Sequence, residues 1–445
     1  MRTNDNIISL TARPGRMLLA GLLLLVCSLA YSQTITIGGD IYGGGRQGAV
    51  GTAKSKDINA DKDHVQLNNG ALEGYTTNIT INTGTARTVF GGGQNGRTYG
   101  NTNVTIQGNN TVIGSQEWEG SIYGGVFGAG DGDSAFVFGH SHLNINGGTM
   151  LQNVYGGGNR ADLMGSTTVV LRGGTLNGSL FGGARLADIA GYSFVNIDGT
   201  NAANDLIVKA VYGGNDIAGN ISSSNKWDWT SNPVLPSVLT YANSTQENKN
   251  LFKNYNAFVY ASPEAQGKHI FIGQVFGGGN GDYEYTTNAQ DNQKLDMSEL
   301  WKEYDGSTYT NETFTVDKTP EVSKVYLELN GGTYGYVYGG GNKATVVDEV
   351  AICLNDRTAA DDIYAPSYAT LESMGLNYDE TDAAYTVTGD GNNRTFKSKY
   401  QFDRVFGGNN KATMNIQPTW HITQASINNL YSGGNAGNMT FWKGL

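Results

Sequence analysis

Cysteine is nearly absent from this chain. It has two in 445 residues, and Cys27 falls in an N-terminal run that reads as a cleavable export signal, which leaves only Cys353. No intramolecular disulfide is then possible, so core packing and backbone pairing must hold the exported chain together. Cys353 itself lies in Val350-Ala351-Ile352-Cys353-Leu354, an apolar strand-like run, and reads as a small buried hydrophobe. Basic charge is short as well: 29 Lys and Arg stand against 40 Asp and Glu, a net −11. Loss of residues 1–32 removes Arg2, Arg13 and Arg16 together with Asp5, which takes the mature chain to −13. That balance disfavours nucleic acid and anionic lipid surfaces as partners. Long hydrophobic runs are missing too. Outside Met17–Val26, itself shorter than the about 20 residues a spanning helix needs, nothing could cross a bilayer, and no alternating aromatic girdle suggests a membrane barrel.

The export signal is legible in detail. Arg13 and Arg16 precede the apolar run, and Ala30-Tyr31-Ser32 supplies small residues at the cleavage positions before Gln33. Cys27 raises a lipid-attachment alternative, for which Val26 immediately before it is a poor residue. The expected location is extracellular or on the outer-membrane cell surface.

Glycine is what the chain has in excess, 64 residues, about twice the usual share of roughly 7%. Ten times a bulky aliphatic residue and an aromatic run into a glycine pair, as in Val154-Tyr155-Gly156-Gly157-Gly158-Asn159 and Val337-Tyr338-Gly339-Gly340-Gly341-Asn342. The aromatics are Tyr42, Phe90, Tyr123, Tyr155, Phe181, Tyr212, Phe276, Tyr338, Phe406 and Tyr431, at spacings of 48, 33, 32, 26, 31, 64, 62, 68 and 25 residues. Between them lie period-two segments such as Val104-Thr105-Ile106 and Leu143-Asn144-Ile145, which read as strands with one buried face. Several copies also contain a second glycine pair: Gly147-Gly148-Thr149, Gly173-Gly174-Thr175 and Gly331-Gly332-Thr333.

A unit this small cannot bury a face alone, so its copies must stack. The expected fold is all-β: a right-handed parallel β-helix, or β-solenoid, of 25–33-residue repeats with long loop insertions. Glycines at the corners would admit positive φ and close approach of the next coil. Asparagines after them would take left-handed geometry or stack as a ladder. The aromatics could line the inside or form an outer stripe. The uneven spacing disfavours a propeller or β-prism.

Repeat regularity divides the chain into a signal over 1–32, compact repeats over 33–220, repeats with two long insertions over 221–345, and repeats with an acidic insertion over 346–445. The insertions are Trp227–Glu264, Tyr283–Pro320 with a short helix expected over Leu295–Trp301, and Asp356–Lys399. Inserts of this kind form loops on one side of a solenoid, often the binding side. After the last motif comes a strand-like Asn438-Met439-Thr440-Phe441-Trp442 with no polar capping unit, so the repeats are expected to continue in a longer protein.

At these motifs the chain resembles glycine-rich β-helix surface proteins of Gram-negative bacteria, broadly similar to autotransporter passengers. It most resembles the large exported Tyr-Gly-Gly-Gly-Asn repeat proteins of Bacteroidales, over roughly residues 17–445. The resemblance implies the architecture and an adhesive role at the cell surface; it implies no mechanism.

The candidate chemistry is thin. None of the glycine motifs ends in the Gly-Lys-Ser/Thr of a phosphate loop. Gly130-Asp131-Gly132-Asp133 and Gly279-Asn280-Gly281-Asp282 offer carboxylates and turn carbonyls of a kind calcium uses, or simply acids that cap turns. His140 and His142 flank Ser141 on one face of a strand, a spacing that can suit zinc, while His64, His269 and His421 are scattered. Polysaccharide-cleaving β-helices need acids paired across adjacent coils, whereas Asp198, Asp216 and Glu328 read as single acids. No residue is assigned a catalytic, metal or cofactor role, and no cofactor is expected. The expected function is therefore a non-catalytic adhesin or stalk that binds a glycan or protein, with the three inserts as contact loops and tyrosines as aromatic platforms. A polysaccharide-degrading enzyme and a purely structural surface protein are the alternatives.

Overall fold

Eight segments share one five-residue pattern in which the first, third and fifth side chains turn inward: Thr77–Ile81, Thr102–Ile106, Ser141–Ile145, Thr167–Leu171, Ser193–Ile197, Ala257–Ala261, Val325–Leu329 and Val350–Leu354. Each pairs in parallel with the next, residue for residue. They form the spine of a twelve-stranded sheet. The aliphatic-aromatic pairs before the glycines form a second, ten-stranded parallel sheet. The protein is thus a parallel β-solenoid, with both long sheets built from successive turns of the chain.

This computed structural model describes residues 35–51, 75–118, 121–221, 235–283, 302–304, 309–311, 319–355, 363, 366–373, 385–391 and 394–437. The expected export signal, the helix expected over Leu295–Trp301 and the segment Asn438–Trp442 lie outside them. Of two units, Met1–Thr36 and Ile37–Leu445, the second contains the solenoid. Among the described residues no helix is long and apolar enough to cross a membrane.

Between the sheets lies one apolar core. The aliphatic of each motif, Val89, Val126, Val154, Leu180, Val211, Val275, Val337 and Val405, points into it and meets the Val, Ile and Leu of the longer sheet. Alternation then sends the aromatic of the same motif to the opposite face. There Tyr42, Phe90, Phe127, Tyr155, Phe181, Tyr212, Phe276, Tyr338, Phe406 and Tyr431 stack in one continuous ladder, with ring centroids 4.6–5.0 Å apart. Rings at the strand spacing cover one another, and so the inner members of an outer stripe are buried. One expected member is corrected. Tyr123 belongs to an antiparallel hairpin of Ser115–Trp118 with Ser121–Tyr123. Parallel register instead sets Val126 beside Val89 and Phe127 beside Phe90.

The motif glycines are required for close approach. A Cβ on Gly277 would lie 2.2 Å from Val325 Cγ1 and 2.4 Å from the Gly339 carbonyl oxygen. Gly277→Ala is expected to cost about 3 kcal/mol, the upper end for overpacking, read as a fall in melting temperature. Positive φ, expected at these corners, is found at the second glycine pairs instead, with Gly148, Gly174 and Gly332 at 82°, 91° and 96°. Among the described residues only Asn95 is a non-glycine with positive φ, so the motif asparagines are not left-handed.

They do form a ladder. The fourth residue after each ring occupies one column at the corner. Asn342 Nδ2 donates to Asn280 Oδ1 at 3.0 Å, Asn410 Nδ2 to Asn342 Oδ1 at 2.9 Å, and Asn435 Nδ2 to Asn410 Oδ1 at 2.9 Å. Toward the N-terminus Asn159, Arg185 and Asp216 continue it, with Arg185 Nη1 donating to Asn159 Oδ1 at 2.6 Å. A second polar column ties the sheets together: the hydroxyls of Thr77, Thr102, Ser141, Thr167 and Ser193 each donate to the carbonyl of a motif glycine at 2.5–2.7 Å. In the next three coils that column becomes Ala257, Val325 and Val350, and the bridge becomes apolar packing.

Part of the first insertion folds back as a strap. Residues 235–256 include a helix, Gln246–Phe252, capped by Thr245, whose side chain accepts from Asn248 N at 3.0 Å. Leu239, Ala242, Phe252 and Tyr255 are buried against Phe194, Phe258, Tyr260 and Tyr326 on the outer face of the longer sheet. This described part is therefore not a free loop. Residues 227–234 of the insertion, most of Tyr283–Pro320 and half of Asp356–Lys399 lie outside the described residues.

Candidate functional site

Parallel register repeats a chemical position from coil to coil, so polar groups distant in sequence line up in rows. One such row lies beneath the strap: Glu328 is the register partner of Cys353, and Cys353 that of His421. Glu328 is fully buried. Its Oε2 accepts from Tyr326 Oη at 2.6 Å, and its Oε1 accepts from the strap amides of Thr240 and Tyr241 at 2.7 and 3.0 Å and from Asn330 Nδ2 at 3.2 Å. Four donors satisfy one buried carboxyl group and hold the strap in place. Tyr241 Oη lies 2.7 Å from His421 Nδ1, a second tie between strap and sheet. Burial pushes the Cys353 thiol up to about 12, and the Glu328 charge adds to this. At neutral pH the group is a thiol, not the thiolate a nucleophile requires. A lone Glu cannot by itself do the work of an acid–base pair.

The other single acids have partners of other kinds. Asp216 is buried, and takes hydrogen bonds from Tyr155 Oη and Tyr283 Oη at 2.8 Å and Asn280 Nδ2 at 2.9 Å. Burial raises its pKa, and these donors and Arg185 oppose that shift. Asp198 pairs with Arg172 at 2.8 Å and accepts from Asn201 N, capping a short 3-10 turn. Asp198, Asp216 and Glu328 are thus not brought together.

The calcium candidates separate in space or meet cations. Asp131 sits in the corner column, where it accepts from Asn159 Nδ2 at 3.0 Å and Tyr42 Oη at 3.2 Å, whereas the Asp133 side chain is 87% exposed. Asn280 is bound within the asparagine ladder. Asp282 pairs with Lys343 at 2.8 Å and with Lys411. Burial raises the Asp282 pKa, but the two ammonium groups outweigh it and hold it below the usual range. Among the described residues no three His, Cys, Asp or Glu side chains cluster as a metal site.

His140 and His142 share a face, as their spacing implies, with rings 6.2 Å apart. His140 belongs to a column that caps the next coil. His140 N donates to Asn101 Oδ1 at 2.7 Å, Ser166 N to His140 Nδ1 at 3.0 Å, and Tyr192 N to Ser166 Oγ at 3.0 Å. The Nδ1 lone pair is therefore engaged as an acceptor. Burial, aided by the neighbouring His142, lowers the His140 pKa to about 4. The folded value lies below the unfolded one, so the neutral ring's contribution is complete above about pH 6.5 and is lost as pH falls toward 4. Stability is expected to drop by up to about 3 kcal/mol across that window. His140→Asn supplies the acceptor found at Asn101 and should remove most of this drop in pH-dependent urea unfolding.

Sequence reasoning missed the strap, the Glu328 row and the capping column. One signal was present. Ala257-Phe258-Val259-Tyr260-Ala261 and Val325-Tyr326-Leu327 are apolar or aromatic at consecutive positions, the mark of a strand buried on both faces. No family model, curated protein or solved structure matches the chain.

Proposed function

We propose that this chain is an exported, non-catalytic surface protein, an adhesin or stalk that binds glycans or proteins of a host or neighbouring cell. The observation supporting this most directly is that Asp198, Asp216 and Glu328 are each consumed by structural partners, while the solenoid offers a long, regular outer surface. The contact loops of this reading come from the insertions at Trp227–Glu264, Tyr283–Pro320 and Asp356–Lys399, outside the strap and the sheet strand Ala257–Ala261.

The test keeps the docked pieces in place. Residues 222–234, 284–301 and 374–384 are replaced by short Gly-Ser linkers, so that the strap, Tyr283 and the buried Leu371 and Ser398 remain. Binding to whole host or neighbouring cells is expected to fall while the melting temperature holds. Unchanged binding would remove the contact role from the loops.

A further inference from the structure

The outer face of the longer sheet changes character along the solenoid. In the first three coils its outward columns are polar: Asn78, Asn103 and His142 in one, Thr80, Thr105 and Asn144 in the next. These six are exposed or half-buried. From the coil of Ser193–Ile197 onward the first column becomes Phe194, Phe258 and Tyr326, and there the strap covers it. Among the described residues, the chain covers the apolar part of this face and leaves the polar part exposed or half-buried.

We propose that this polar face is a binding floor for an uncharged, extended β-linked polysaccharide running along the solenoid axis. The proposal rests on the glycan branch of the reading above. Its side chains are carboxamides, hydroxyls and an imidazole, which donate and accept as sugar hydroxyls do and include no acid. Residues 33–445, of net −13, repel polyanionic glycans and have no such effect on neutral ones. The columns repeat at the inter-strand spacing of about 4.8 Å, close to the advance of one sugar in an extended β-linked chain. Successive sugars therefore meet equivalent groups on successive coils. The carboxamides are already oriented: Asn103 Nδ2 donates to Asn78 Oδ1 at 2.9 Å, and Gln107 Nε2 to Asn82 Oδ1 at 2.6 Å. Such preorganisation lowers the entropic cost of binding. At the strap end, half-buried Tyr192 stands edge-on to Phe258 at 5.7 Å and supplies an aromatic surface for a sugar ring.

Calorimetric titration of residues 33–445 with a neutral β-linked hexasaccharide and with a hexuronate of equal length tests this. The neutral chain should bind, and N103A combined with N144A should weaken it by about tenfold or more, each tenfold being 1.4 kcal/mol. Melting temperature should hold in that variant, and the loop-replaced protein should bind as the parent does. Loss in the loop-replaced protein with full binding by the double variant would overturn the floor and leave the adhesin reading standing. Preference for the hexuronate would overturn the neutral ligand. No binding of either chain by the parent would overturn the floor and the glycan branch together.

Discussion

Phe276→Ala is expected to destabilise the solenoid by about 3–5 kcal/mol, the range for removing a buried aromatic. Phe276 is fully buried and stacks on Tyr212 at 4.6 Å and on Tyr338 at 4.8 Å. Its loss opens a gap between two rings fixed by their strands, and the main chain on both sides is held by Gly213 N to Phe276 O and Gly277 N to Tyr338 O, 2.9 and 3.0 Å. Collapse to fill the space is therefore blocked. Stability in a stacked repeat is close to a sum over neighbouring interfaces, so weakening one in mid-ladder should split unfolding into two transitions. Phe276→Tyr is the control, because Tyr occupies the same column at Tyr212 and Tyr338. Denaturant unfolding followed by tyrosine fluorescence and by circular dichroism reads both effects. A loss under about 1 kcal/mol would mean the ladder contributes little beyond area.

Glu328→Ala is expected to release the strap. The substitution leaves Tyr326 Oη and the amides of Thr240 and Tyr241 without their acceptor, at about 1–3 kcal/mol for each buried group. Removing one side of a buried, charge-assisted network generally costs more than the network contributes. Cys353 reports on this directly, because it is the only cysteine beyond Cys27 and is fully buried beneath the strap. It should pass from inert to thiol-reactive with a maleimide, and protease cleavage should appear within residues 235–256. Glu328→Gln, which retains one acceptor oxygen, should fall between. An unreactive Cys353 in a folded Glu328→Ala protein would show that apolar packing alone seats the strap.

Much of the fold was legible because the repeat is chemical as well as periodic. The aromatic-glycine motif marks a position where one side chain must stack and the next must be absent, and no other residues meet both demands. Tyr123 was misplaced for the same reason. Ile122-Tyr123-Gly124-Gly125 satisfies the pattern locally, but only register across coils reveals that Val126-Phe127-Gly128 fills the column. The corner ladder was foreseen in asparagines, while its Asp216 and Arg185 members were not, since they become equivalent only once rings are aligned. The strap was harder to see. Its contacts join Leu239 and Phe252 to Tyr326 and Cys353, and pairings at such separations leave no local trace. What remained visible was the double-sided apolarity of the strands beneath. The Glu328–Cys353–His421 row was hidden for a similar reason: insertions of different length separate residues that the coils place side by side.

The proposed non-catalytic role is the central claim, and depolymerisation tests it most directly. Purified residues 33–445 would be incubated with host and dietary polysaccharides, and retention and chain length measured on the same samples. The account predicts that some chains are retained and that none is shortened. Shortened chains would contradict it and would place an acid pair where Asp198, Asp216 and Glu328 each stand apart.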